Sequence, residues 1–206
     1  AYIKNISDEY QSFINQTLGQ HDIESDDELV IGDMTFADNL QESGASQALE
    51  VAFQHPIKII VNALGVPPQV MKDMAKKHNV AVGALVGARE HAMAQVASGV
   101  DVIIAAGGEA GGHCGEISTM VLVPEICREL EKMGSTTPVL AAGGITTGTQ
   151  MAAAMSMGAA GAWCGSVWLT TSEAETNPVV KEKMLKASSR DTVRARSRTG
   201  KPSRQL

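Results

Sequence analysis

Aromatic residues are scarce in this chain of 206 residues: two Trp, two Tyr and three Phe make up 3% of it. Nucleic-acid surfaces interleave basic residues with aromatics on which bases stack, so no nucleic-acid partner is expected. Cysteine is as sparse. Cys114, Cys127 and Cys164 are odd in number and widely spaced, which fits neither a disulfide framework nor a zinc site of paired ligands and implies a reducing, cytoplasmic setting. Apolar runs stay well short of the roughly 20 residues of a membrane span. No charged-then-apolar leader opens the chain, so a soluble protein with no membrane partner is expected. The sequence starts at Ala1 and stops at Leu206 just past a Gly200-Lys201-Pro202 turn signal, and both ends read as cut.

Positive charge is also short, leaving a net −6, and what there is gathers at one end. Residues 190–206 hold Arg190, Arg194, Arg196, Arg198, Lys201 and Arg204 against Asp191, so this segment is +5 and the remainder −11. A cofactor or substrate phosphate, or solvent, would serve such a segment. The acidic run of Asp22, Glu24, Asp26, Asp27 and Glu28 has no histidine or second carboxylate cluster spaced to complete a metal shell. It reads as solvated surface, and no metal is expected.

What the chain has in quantity is aliphatic residues and glycine: 44% is hydrophobic and 20 residues are Gly. Short runs of Val, Ile and Ala at 57–64, 80–86, 101–106, 138–142 and 161–169 alternate with helical stretches at 68–78, 89–98, 118–133, 147–157 and 178–187. Five strand-then-helix units in succession predict an α/β fold on a parallel sheet, with both faces of the strands covered. Residues 1–50 break the pattern, with helices at 9–18 and 46–53 around the acidic run, and read as a loop- and helix-rich crossover or insertion. The ten methionines fall mostly in helices and are expected to fill core gaps.

In a parallel α/β architecture ligands bind beyond the carboxyl ends of the strands. Three loops placed there are rich in glycine: residues 107–115, which carry His113, residues 141–148, and Cys164-Gly165-Ser166. Gly165 follows Gly144 by 21 residues, one helix and one strand on, so the second and third loops should lie side by side. Backbone N–H groups at glycines, with the start of a helix, make a phosphate cradle that needs no lysine. His113 then stands on a neighbouring strand end, as a general acid or base or as a donor to developing negative charge. Glu109 either orients that imidazole or caps a turn. Cys114 has no surrounding pattern of a nucleophile. His21, His55, His78 and His91 read as surface residues, and Trp163 and Trp168, which flank the third loop, as strand-core packing.

These motifs resemble one family. Glu109-Ala110-Gly111-Gly112-His113-x-Gly115, then residues 138–145 (Pro-Val-Leu-Ala-Ala-Gly-Gly-Ile), then Gly158-Ala159-x-Gly161-Ala162-x-x-Gly165-Ser166 are similar to the nitronate monooxygenase family, which also holds FMN-dependent enoyl-acyl-carrier-protein reductases. The resemblance implies an FMN-binding (β/α)8 TIM barrel, of which residues 51–190 would be a fragment covering about strands four to eight, with residues 191–206 a truncated basic segment. It implies His113 as the catalytic residue near the flavin. Ala110, Gly111 and Gly112 would approach the ribityl chain, and Gly143, Gly144, Gly165 and Ser166 would hold the FMN phosphate. The implied activity is oxidation of an alkyl nitronate, a small-molecule substrate, with dioxygen to a carbonyl compound and nitrite. An NAD(P)H-dependent FMN reductase of the enoyl-thioester or quinone type, and a non-catalytic phosphate-binding module, stay open as alternatives.

Overall fold

The computed structural model describes residues 8–21, 42–196 and 200–206. The acidic run lies outside them. The chain divides into two units, Ala1–Val51 and Ala52–Leu206. Among the described residues the first holds helices α1 (Asp8–Gln20) and α2 (Glu42–Ala52), the latter running to the boundary.

The second unit holds the expected alternation: β1 (Ile59–Asn62), α3 (Gln69–His78), β2 (Ala81–Val86), α4 (Arg89–Ala97), β3 (Val102–Ala106), β4 (Gly112–His113), α5 (Thr119–Lys132), β5 (Val139–Ala142), α6 (Gly148–Ser156), β6 (Gly161–Trp163), α7 (Pro178–Lys186), β7 (Val193–Ala195) and β8 (Ser203–Gln205). Strands β1, β2, β3, β5 and β6 form one parallel sheet in that order. Each strand pairs with the next in sequence, as short right-handed crossovers through a helix dictate, and there is no reversal of order of the doubly wound kind.

Pairing starts at the base of β3, where Asp101 donates its N–H to the Val82 carbonyl (2.8 Å) while its carboxylate accepts from the Val82 N–H (2.8 Å). Side chains then alternate between the faces. On one face Ile103, Ala105, Val139 and Ala141 are buried together with Leu122, Val123, Ile126 and Leu130 of α5, which packs on β3 and β5. On the other, Ile104, Ala106 and Ala142 form a cluster against which Val61, Leu85, Val102, Leu140 and Trp163 pack. Ile103, Ile104, Leu122, Val123 and Ile126 are fully buried, each contributing about 1.5–3 kcal/mol.

Helix ends follow local chemistry. Helix α3 stops at Asn79 in the left-handed region (φ 55°), and α7 begins with Pro178 after an Asn177 cap whose side chain accepts from the Val179 N–H. Gly158, at φ 105°, ends α6 against α5: a Cβ there would lie 3.1 Å from the Cys127 Cβ.

Three sequence expectations need correction. The strand anticipated over 161–169 ends at Trp163, and a 3-10 turn over Ser166–Thr170 follows. The reason is the turn at Gly165, whose carbonyl accepts from the Trp168 N–H (3.0 Å). Trp163 does pack in the core cluster, but Trp168 is turned out and 60% exposed. The described methionines lie in or at the ends of helices yet are mostly not core-filling: Met71 is buried, whereas Met120, Met133, Met151 and Met155 are exposed, because these helices cover the sheet with Ala, Leu and Ile. Beyond the parallel sheet, β7 and β8 pair antiparallel and β8 pairs with β4, which makes a second sheet in the order β4-β8-β7.

Candidate functional site

Register places the three glycine loops together. Ala106 pairs with Ala142, and Ala142 with Trp163, so the chain leaves β3, β5 and β6 at one level. The Gly107 N–H then crosses to the Ala142 carbonyl (3.0 Å), tying the first loop to the end of β5. Gly143 stands at φ 107° and Gly144 at φ 71°, conformations that residues with a Cβ seldom adopt. Contact, too, requires glycine at Gly143. A Cβ there would lie 2.8 Å from Thr119 Oγ1 and 2.9 Å from the Ala110 nitrogen, and one on Gly144 would lie 3.1 Å from the Glu109 Cβ. Gly111 faces the Ser166 hydroxyl, which occupies the space a side chain at that position would take. The first loop therefore touches both of the others.

Glu109 joins the loops to a helix. Its Oε2 accepts from the backbone N–H of Thr119 (2.8 Å) and from the Thr119 hydroxyl (2.9 Å). Thr119, buried, is the first residue of α5, so the carboxylate satisfies an N–H that the helix leaves open and lies at the positive end of its dipole. Of the two roles open to Glu109, capping is the one its contacts show. The single Thr119 hydroxyl hydrogen faces two further acceptors, the Gly143 (3.1 Å) and Ala142 (3.2 Å) carbonyls, and the carboxylate is the strongest of the three.

His113 lies on β4, exposed, with Gly112 before it at φ 75°. Its partner strand is β8: Gly112 pairs with Arg204 and His113 with Ser203, and the Cys114 N–H donates to the Pro202 carbonyl (3.1 Å). Arg204 reaches past the pairing. Its Nε (3.1 Å) and Nη2 (3.0 Å) both donate to the Gly108 carbonyl and its Nη1 donates to Thr192 Oγ1 (2.9 Å). Arg194 donates to the Gly115 carbonyl (3.1 Å) and Arg196 to the Glu116 carboxylate (3.1 Å). Three of the basic residues thus bind the loop that bears His113. Gly108, Glu109, Glu116, Ser118, Arg194 and Arg204 line a depression of about 200 Å³ beside it. A larger one, about 380 Å³, opens at the opposite end of the sheet near Pro138, Gly158 and Cys127, away from these loops, and burial pushes the Cys127 thiol up.

The start of α6 is partly self-satisfied. Thr147 and Gln150 make a reciprocal cap, and Gln150 Oε1 also accepts from the Thr146 (2.9 Å) and Thr147 (3.0 Å) N–H groups while its Nε2 donates to the Gly144 carbonyl (2.7 Å). Among the described residues the N–H groups of Gly143, Gly144 and Gly165 donate to no turn or loop carbonyl. These glycines, with the Ser166 hydroxyl nearby, are the donors an anion could use. His21, His55, His78 and His91 are exposed, and His78 stacks on Phe53 with ring centres 4.9 Å apart. Among the described residues no group of three or more His, Cys, Asp or Glu could hold a metal ion, and no helix is long and apolar enough to cross a membrane.

This geometry has relatives. The model of the nitronate monooxygenase family matches residues 11–206. A Mycobacterium tuberculosis protein named "Putative monooxygenase Rv1533" is 56% identical over 82% of this chain and 44% of its own length. A second protein of that organism, an octahydro-indene-carboxyl-CoA dehydrogenase, is 33% identical over 85% of this chain and 49% of its own. The solved structure of nitroalkane oxidase from Streptomyces ansochromogenes superposes with a TM-score of 0.69 at 28% identity, covering 80% of this chain and 49% of that one. The chain spans about half the length of the curated relatives it matches. With the family match extending over residues 11–206, the chain belongs to the nitronate monooxygenase family.

Proposed function

We propose that this chain carries the phosphate-binding and histidine-bearing part of an FMN-dependent nitronate monooxygenase, and that its five parallel strands are an arc of a (β/α)8 barrel. One observation carries the functional reading: at the strand ends Gly143 and Gly144, at positive φ, press on Ala110 and Glu109 while Gly111 presses on Ser166, all on the loop system that bears His113. In-sequence neighbour order in the sheet, and relatives about twice as long, support the arc.

The residues present fit the group. The N–H groups of Gly143, Gly144 and Gly165 and the Ser166 hydroxyl would hold the phosphate, with no Cβ at the glycines to keep it off. Ala110, Gly111 and Gly112 offer backbone and little side chain, which suits close approach by the rest of the cofactor. When bound, FMN supplies the redox centre that oxidises the substrate and passes electrons to dioxygen. His113 handles the proton: one ring nitrogen donates a hydrogen bond to the anionic nitronate oxygens, or takes the α-proton when the neutral nitroalkane binds. Glu109 keeps the loop fixed through Thr119, and solvent reaches the imidazole on its exposed strand.

The test is a visible absorption spectrum of the purified protein with FMN, then nitrite release from a nitroalkane. His113→Ala should keep the flavin and lose about 100-fold or more in kcat. Absence of a flavin spectrum, or unchanged turnover in His113→Ala, would refute the reading. The 33% identity to a CoA-ester dehydrogenase favours one second reading, an oxidoreductase on a thioester substrate that uses NAD(P)H. Rapid anaerobic bleaching by NADPH, with none by a nitronate, would select it.

A further inference from the structure

We propose that the C-terminal hairpin is a brace for the His113 strand, and that Arg204 is its positioning residue. Strand β4 is two residues long, and a ladder of that length does not hold itself. Gly111 precedes it and Gly112 is its first residue, so neither position has a side chain to pack. Two things fix it. One is the ladder to β8, through the Gly112–Arg204 and His113–Ser203 pairs and the Cys114 N–H on the Pro202 carbonyl. The other is the Arg204 guanidinium, which clamps the Gly108 carbonyl with two nitrogens and Thr192 with the third.

The same residue therefore pairs with Gly112 through its backbone and grips Gly108 through its side chain, four residues earlier on the loop. That double hold sets where the loop can place His113. Ser203 is buried, and β7 lies behind β8 with Ala195 opposite Ser203 and Arg194 opposite Arg204, so the brace is itself backed. A planar fork of donors is the chemistry needed, because three nitrogens act at once in fixed directions. Lysine would offer one nitrogen. Arg194, Arg196 and Arg204 are thereby given a use inside the fold.

That His113 acts on substrate rests on the reading above; the brace does not, and its readouts need no cofactor. In the full 206-residue chain, amide hydrogen exchange of Cys114 reports the β4–β8 ladder, and that of Asp101, bonded to the Val82 carbonyl, reports the main sheet. Arg204→Ala is expected to speed Cys114 exchange at least tenfold with Asp101 unchanged, and to shift the His113 Cε1–H resonance while those of His55 and His91 stay put. Arg204→Lys should give partial protection. Thr192→Val, which removes one of the three contacts and leaves the clamp on Gly108, should give a smaller loss and serves if Arg204→Ala does not fold.

Unchanged Cys114 exchange, equal acceleration at Asp101, or an unmoved His113 resonance would overturn the brace. Full rescue by Arg204→Lys would overturn the fork. Flavin binding and nitrite release that survive Arg204→Ala intact, with His113 unmoved, sink the brace alone. Loss of the flavin assignment with the exchange results as expected sinks the functional reading alone.

Discussion

Substitution of Gly143 by alanine tests the junction of the three loops most directly. At φ 107° the backbone there strains any residue with a Cβ by about 1–3 kcal/mol. The new methyl would also lie 2.9 Å from the Ala110 nitrogen, a main-chain atom of the first loop, and 2.8 Å from the Thr119 hydroxyl. Neither can move freely, since that hydroxyl is bonded to the Glu109 carboxylate, a charge-assisted contact contributing about 1.5–3 kcal/mol. Strain plus partial loss of that contact gives an expected destabilisation of about 2–5 kcal/mol. Gly148→Ala is the control, because a Cβ at Gly148 meets nothing within 4 Å and alanine in a helix should be neutral or stabilising by up to about 1 kcal/mol. Urea unfolding followed by circular dichroism measures both, read as midpoint shifts at constant slope. A Gly143→Ala midpoint within about 0.5 kcal/mol of the parent, the range of ordinary surface changes, would refute the close packing of Ala110, Thr119 and Gly143.

Two further outcomes are expected. Glu109→Ala removes the acceptor for the Thr119 N–H and hydroxyl and should destabilise by about 1–3 kcal/mol, whereas Glu109→Gln keeps an acceptor oxygen, loses only the charge on the helix dipole, and should lose about 0.3–1 kcal/mol; urea midpoints of the two variants check the order. Asp191 has its carboxyl held below the usual aspartate range by the Ser188 backbone N–H and then the Ser188 hydroxyl. A lowered folded value means its contribution is present above the ordinary aspartate range and lost as pH falls through the lowered value. Acid should therefore loosen the turn that leads into β7, seen as smaller exchange protection factors around residues 188–193 once the intrinsic pH dependence is divided out, and Asp191→Asn should flatten that acid response; identical acid profiles would contradict the assignment.

Strand positions 81–86, 102–106 and 139–142 were legible because a strand covered on both faces must be apolar at nearly every residue, and the runs of Val, Ile and Ala leave little else to form. The three glycine loops were legible for a related reason. Glycine clusters at strand ends mark places where backbone must pass close to something, and Gly143, pressed on Ala110 and Thr119, is such a place. Trp168 was not legible: its apolar run continued past Trp163, and only the turn at Gly165 takes it out of the sheet. Arg204 was less so. Nothing local distinguishes it from Arg194, Arg196 or Lys201, since its partner Gly108 lies 96 residues away.

The sequence by itself determined the order of the five main strands and their helices, the parallel sheet and the chemical kind of the loops, because hydrophobic period, helix stops and glycine placement are properties of neighbouring residues. Only the tertiary structure decided that Glu109 caps α5 and that a basic, unpromising C-terminal stretch folds back as a hairpin onto the strand of His113. Those contacts join residues far apart in the chain, and their free energy exists only once the sheet has brought the loops to one end.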